Sequence, residues 1–337
     1  MIAKERKKRA GKREEGGRLS AWLQSVGGQG LLLLIWGFMW FGLFRPSLFR
    51  ARAWDALVLC IRKVIPAVFP VAAAGGILTC MAPPPHWMCR PVGRILCLSD
   101  ESVGVLLISL VSGFPVGAML ASRLLEVGRI DGEEAARLCC YTNNASAAFL
   151  VGTVGEGFFR SAGMGWILWL SSLLASLCVA IGMGRSACRR GGKKIVCSVS
   201  ATDRLPTPGA LARSVASTGL GMLRLSAFVV FFAVFCAFGE EGLELLLPDT
   251  PLCRYVKAAC YAFFEITGGL GSIAVLGLPM AVRMVLAGFA TGFGGLSVYF
   301  QCMASGDAPD GALLFAARLK TALFCGMFSG IFTLLLG

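Results

Sequence analysis

Ser112-Gly113-Phe114-Pro115-Val116-Gly117-Ala118 lies in the middle of an apolar segment long enough to enter a bilayer, and so do two further interruptions. These are Asn143-Asn144-Ala145-Ser146, and Phe264-Glu265-Ile266-Thr267-Gly268-Gly269 with its sequel Gly292-Phe293-Gly294-Gly295-Leu296-Ser297. Lipid satisfies no freed N–H or C=O group, so broken backbone at membrane depth survives only where it is buried in protein or lines a cavity. The pattern predicts an all-α, polytopic membrane bundle whose broken helices surround a central polar site.

Composition agrees with that class. Hydrophobic residues make up 56% of the 337 positions and charged residues 15%, against about 25% charged in a soluble domain. The net charge of +13 is concentrated in two tracts beside apolar spans. It therefore reads as positive-inside topology and contact with anionic headgroups, not as a nucleic-acid surface. The fourteen cysteines do not form a C-x-x-C framework. Most, including Cys60, Cys80, Cys178, Cys236, Cys260 and Cys325, lie in apolar runs, where cysteine serves as a small buried hydrophobe. A single histidine, His86, follows Pro83-Pro84-Pro85, which leaves no set for a zinc site or a Ser-His triad. No metal or cofactor is implied.

Residues 1–28 hold eight Lys/Arg against three acids and read as a disordered cytoplasmic arm. Residues 29–48 form an uncleaved membrane anchor, since the apolar run ends in Phe44-Arg45-Pro46 without a small-residue cleavage site. Further apolar segments run over 53–81, 102–125, 134–157, 162–184, 215–238, 255–277, 279–301 and 311–336. Most approach the roughly 20 residues of a spanning helix. The loop 185–213, with seven basic residues and one acid, belongs on the cytoplasmic side with the arm. Five apolar segments separate the two, so one must enter and leave by the same face. Either 53–81, interrupted by Pro66, Pro70 and Gly75-Gly76, or 134–157, interrupted by Asn143-Asn144, fills that role. The expectation is about eight spans plus one re-entrant segment. The acidic stretches around 240–254 and 302–312 then fall outside. The parity also makes 53–184 and 215–337 inverted repeats, a common build of secondary transporters.

Each break admits a structural and a functional reading. Gly113, Pro115 and Gly117 either give a small-xxx-small packing face, as Gly288–Gly292 and Gly326–Gly330 do, or expose N–H donors of a half-helix to an anion. Asn143, Asn144 and Ser146 either cap half-helices or bind substrate. Glu265, an acid within an otherwise neutral span, either couples a proton or cation or pairs with Arg283, Arg224 or Arg318. Thr267 and Gly268 unwind the helix beside it. Gly294 and Gly295 offer backbone N–H groups to a carboxylate, with Ser297 and Gln301 close behind. There is neither a Walker A motif nor a nucleophile elbow, so no ATP-driven step and no enzyme is expected.

At these residues the chain resembles the YlbJ-type sporulation integral membrane proteins of the nucleoside-recognition "gate" group. The resemblance covers roughly 55–335 and rests on Ser112–Ala118, Gly128-Arg129-Ile130 with Glu133-Glu134-Ala135, Asn143-Asn144, Phe149, Glu265–Gly269, and Phe293–Ser297 with Gln301. After Asn144, similar proteins tend to have Ser-Gly-Pro where this chain has Ala145-Ser146-Ala147. The resemblance implies a protein of the cell membrane or the membranes around a forespore, associated with dipicolinate movement and distantly similar to concentrative nucleoside transporters. The alternative is a non-transporting scaffold or gate subunit needed for spore maturation. Lipid bilayer and a small-molecule solute are the expected partners, with a homo-oligomer compatible.

Overall fold

The computed structural model describes residues 29–30, 32–81, 84–189, 208–246, 250–307 and 309–336. The basic arm 1–28 and residues 190–207 of the basic loop lie outside the described residues. Contacts divide the chain after Ala51. The part up to residue 51 holds helix α1, Leu32–Phe44, and the beginning of α2, with the rings of Phe38 and Phe49 5.4 Å apart. The breaks, cavities and contacts described below lie within residues 52–337.

Every described element there is helical. Helix α2 (Pro46–Leu59) continues through a π-helical turn, Cys60–Val64, into α3 (Ile65–Met81). The stretch 53–81 is thus helical throughout, and Pro66, Pro70 and Gly75-Gly76 do not break it. Next come α4 (His86–Leu96), α5 (Asp100–Ser112), α6 (Val116–Glu126), α7 (Gly132–Tyr141), the π-helical segment Ala148–Phe158 and α8 (Ala162–Arg189). The remainder is α9 (Pro208–Leu246), α10 (Pro251–Phe264), α11 (Ile266–Ala274), α12 (Met280–Phe293), α13 (Gly295–Met303) and α14 (Gly311–Leu336).

Among the described residues, four helical stretches are long and apolar enough to cross a membrane: Ala162–Arg189, Leu211–Leu245, Met280–Met303 and Gly311–Leu336. A fifth is added if the bent pair Leu32–Phe44 and Pro46–Arg62 counts as one span. Of the other apolar segments, 102–125, 134–157 and 255–277 are realised as shorter helices joined at breaks. Short polar caps start several of them. Ser99 accepts from Ser102 N–H at α5, Asp131 from Glu134 N–H at α7, and Thr250 from Cys253 N–H at α10, where Pro251 occupies the first turn. Each side-chain oxygen satisfies a donor that the first helical turn otherwise leaves open.

Two features place the breaks. Helix α14 packs along both α12 and α8. The contact with α12 is close because a Cβ on Gly292 would fall 2.6 Å from the Thr321 carbonyl oxygen. In the first half, the Gly128 turn (φ +69°) directs Arg129 to Glu101 at 3.6 Å, and the Glu134 carboxylate accepts from Ser99 N–H at 2.6 Å. These bonds tie the start of α7 to the start of α5. Nine described cysteines are buried, as expected for small apolar fillers; Cys178 and Cys260 depart from that reading by being exposed on α8 and α10.

Candidate functional site

In each half the two breaks cross at their backbones. Gly113 (φ +77°) sits where a Cβ would lie 2.9 Å from both the backbone N and Cβ of Ser146, and Phe114 N–H donates to the Asn144 carbonyl at 2.8 Å. Gly295 (φ +76°) sits where a Cβ would lie 3.2 Å from the Phe264 carbonyl oxygen and 3.3 Å from Glu265 N. Positive φ and lack of room both require glycine at these two positions.

The freed half-helix ends are capped from within. Asn143 is fully buried; its Oδ1 accepts from Ala118 N–H of α6 at 3.2 Å while its Nδ2 donates to the Cys139 carbonyl of α7 at 2.8 Å. One amide therefore closes the N-terminal end of one half-helix and the C-terminal end of another. Asn144 Nδ2 donates to the Tyr141 carbonyl at 3.2 Å, and its Oδ1 accepts from Ser176 Oγ of α8 at 2.5 Å. Arg318 of α14, also buried, donates to the Asn143 carbonyl, which puts a cation at the negative end of α7.

Glu265 caps the break between α10 and α11. It is extended (φ −143°, ψ 122°) between α10 and α11, and its two carboxylate oxygens accept from Thr267 N–H at 2.8 Å and Gly268 N–H at 2.7 Å. Among the described residues it makes no ion pair. Arg283 donates to the Ala274 carbonyl, Arg224 to the Ala304 carbonyl at 3.4 Å, and Arg318 to Asn143. At the last break, Gly294 (φ +82°) ends α12 and donates its N–H to the Ala290 carbonyl at 2.8 Å. That donor is therefore already occupied, contrary to the expectation of a free anion cradle.

Between the four breaks lies a cavity of about 390 Å³, within the range of small-molecule sites. Of the residues singled out in the sequence, it brings together Gly113, Ser146, Glu265, Thr267, Ser297 and Gln301. Pro115 lines a neighbouring cavity, and Gly117, Asn143, Asn144, Gly268, Gly294 and Gly295 line neither. Gly117 instead takes the close approach of Thr142, and Gly268 that of the Tyr261 ring. Sequence reading passed over Ser112, Phe114, Thr153, Leu225 and Val229 as wall residues. Ser112 and Phe114 adjoin a recognised break; Leu225 and Val229 are ordinary apolar residues of α9 that carry no signal of their own.

The walls are apolar, with Val68, Phe114, Phe149 and Ile266 among them, and the polar groups are few. Gln301 Nε2 donates to Ser297 Oγ at 3.1 Å, leaving its buried Oε1 without a hydrogen-bond partner among the described residues. Among the described residues, the one carboxylate lining the cavity is that of Glu265, and no basic side chain lines it. An acid entering it meets a like charge unless Glu265 carries a proton or a cation accompanies the solute.

A relative can now be set beside this geometry. The sporulation integral membrane protein YlbJ of Bacillus subtilis (strain 168) is 27% identical over 280 residues, covering 73% of this chain and 66% of the relative. The comparison supports a YlbJ-type assignment. The match spans about 66% of that relative's length. No family model matches the chain, and no solved structure does. With its apolar spans, the chain is an integral membrane protein.

Proposed function

We propose that this chain is a secondary transporter of a small planar solute, acting during sporulation in the cell membrane or the membranes around the forespore. The observation that carries the reading is the meeting of four helix breaks around one cavity that holds a carboxylate. A scaffold needs neither a central chamber nor an acid within it, and intramembrane acids mark ion or substrate pathways. The proposal includes about eight spans with 134–157 re-entrant, and an inverted relation between 53–184 and 215–337. The break at 142–146 supports 134–157 over 53–81, which is helical throughout.

Between the two solute classes, the lining favours a neutral nucleoside-like molecule, whose hydroxyl and ring edges suit the hydroxyls, Gln301 and Glu265. A dipicolinate-like dianion fits only in company with a proton or cation. The test is uptake of labelled uridine and labelled dipicolinate into proteoliposomes with proton or sodium gradients imposed in either direction. Gradient-dependent accumulation of either supports transport and names the class. Equal signals in protein-free liposomes for both would leave the scaffold reading.

A further inference from the structure

A second cavity of about 480 Å³ adjoins the first and has the opposite electrostatic character. Arg123 of α6 and Arg213 and Arg224 of α9 line it, against a single carboxylate among the described residues, Glu126. Arg213 and Arg224 are eleven residues apart. Three helical turns span about eleven residues, so both guanidinium groups lie on the same face of α9, about 16 Å apart along the axis. Ser217 and Thr218 add hydroxyls between them, and Ser305 adds another from the turn after α13. Arg224 stands at the edge of the uncharged run 225–239, and a charge so placed is retained at a cost unless something uses it.

The two cavities share walls in a consistent order. Leu225 and Gln301 line both. Along α9, Ser217, Gly221, Arg224 and Phe228 face the arginine-lined space and Val229 the central one; Ser297 and Val298 of α13 face the centre, and Ala304 and Ser305 of the turn that follows it face the arginines. At the first break, Phe114 borders the centre, and Pro115 with Val116 borders the second space. Leu225, Gln301 and the 114–116 turn therefore form a thin partition. The unpartnered Oε1 lies on that same residue, Gln301.

We infer that the second cavity is an anion-binding vestibule for carboxylate- or phosphate-bearing groups, separated from the central chamber by Leu225, Gln301 and the 114–116 turn. The word vestibule rests on the transport reading; the anion site itself does not. An anion held there is drawn from the side on which the N-terminal end of α9 lies. It reaches the centre only past the partition.

The full chain is purified into phosphatidylcholine nanodiscs, and citrate binding is followed by titration calorimetry without any gradient. The expected result is saturable binding that weakens with salt and falls about tenfold or more in the Arg123→Gln, Arg224→Gln double variant. The matching Arg→Lys double variant keeps most of the affinity, which separates charge from folding. Repeating the titration with phosphatidylglycerol in the disc identifies the source: competition by the lipid assigns a headgroup, and undiminished binding assigns a soluble anion. Absence of citrate binding in phosphatidylcholine, or equal affinity in the folded glutamine double variant, overturns the inference. Citrate binding without any gradient-driven uptake overturns transport alone and leaves the anion site standing.

Discussion

Replacing Glu265 separates three roles that one carboxylate can hold. Its oxygens accept two backbone N–H groups at the start of the nine-residue α11, at 2.8 and 2.7 Å. Loss of such a cap costs about 0.5–2 kcal/mol, and loss of a negative charge at a helix N-terminus about 0.3–1 kcal/mol more. Glu265→Ala should therefore lower stability by about 1–3 kcal/mol. Glu265→Asn keeps a short acceptor that favours the capping position but removes the charge, so its cost should stay below about 1 kcal/mol. The assay is unfolding in detergent for all three proteins, paired with gradient-driven uptake in liposomes. Coupling through the carboxylate predicts that the Asn variant stays folded and binds solute yet no longer responds to the imposed gradient. Two results would refute the reasoning. An Ala variant as stable as the parent removes the cap. An Asn variant destabilised by about 3–5 kcal/mol reveals a buried cation left unpaired, against the geometry that gives Arg283, Arg224 and Arg318 other partners.

Further outcomes follow from other contacts. Gly113→Ala forces a methyl group against Ser146 at positive φ and should sharply reduce monodisperse protein on size-exclusion chromatography, whereas Gly132→Ala, with no neighbour within 4 Å, should not. Ser176→Ala strips the buried Asn144 Oδ1 of its donor and should cost about 1–3 kcal/mol in detergent unfolding, with uptake per folded molecule retained. Arg318→Met leaves the Asn143 carbonyl without its buried donor and should destabilise by a similar amount; a neutral effect would mean that α7 needs no cation at its end. Single cysteines placed at 185–213 should be labelled from the cytoplasmic side and those at 240–254 and 302–312 from the opposite side; outside labelling of 185–213 would remove the case for a re-entrant segment.

The sequence made the breaks legible because glycine, proline, paired amides and an acid are each costly in the middle of an apolar helix, so their positions mark where the helix stops. It did not reveal what those residues do there. Asn143 and Asn144 look like ligand groups on composition, yet their partners are Ala118, Ser176 and Arg318, placed 25, 32 and 175 positions away by the fold. Prolines mislead in the other direction. Pro66 and Pro70 suggested an interruption in 53–81, but a π-helical turn at Cys60–Val64 precedes them and the helix persists. Glu265 was recognised as singular from its apolar surroundings, while its capping geometry depended on the extended backbone at one residue. The second cavity was illegible because its arginines come from α6 and α9, nearly a hundred positions apart, and join only when the half-helices fold back.

The crossing of breaks at Gly113–Ser146 and at Gly295–Phe264 bears on how such a chain can be altered or recombined. Neither break is a free-standing loop, since each is shaped by the backbone of its counterpart. A segment such as 100–126 grafted from a relative brings one half of a fitted surface and meets a mismatched other half unless 132–158 travels with it. The module that can be exchanged is the crossed pair, and the smallest interchangeable part of the chamber wall is therefore two hairpins, not one.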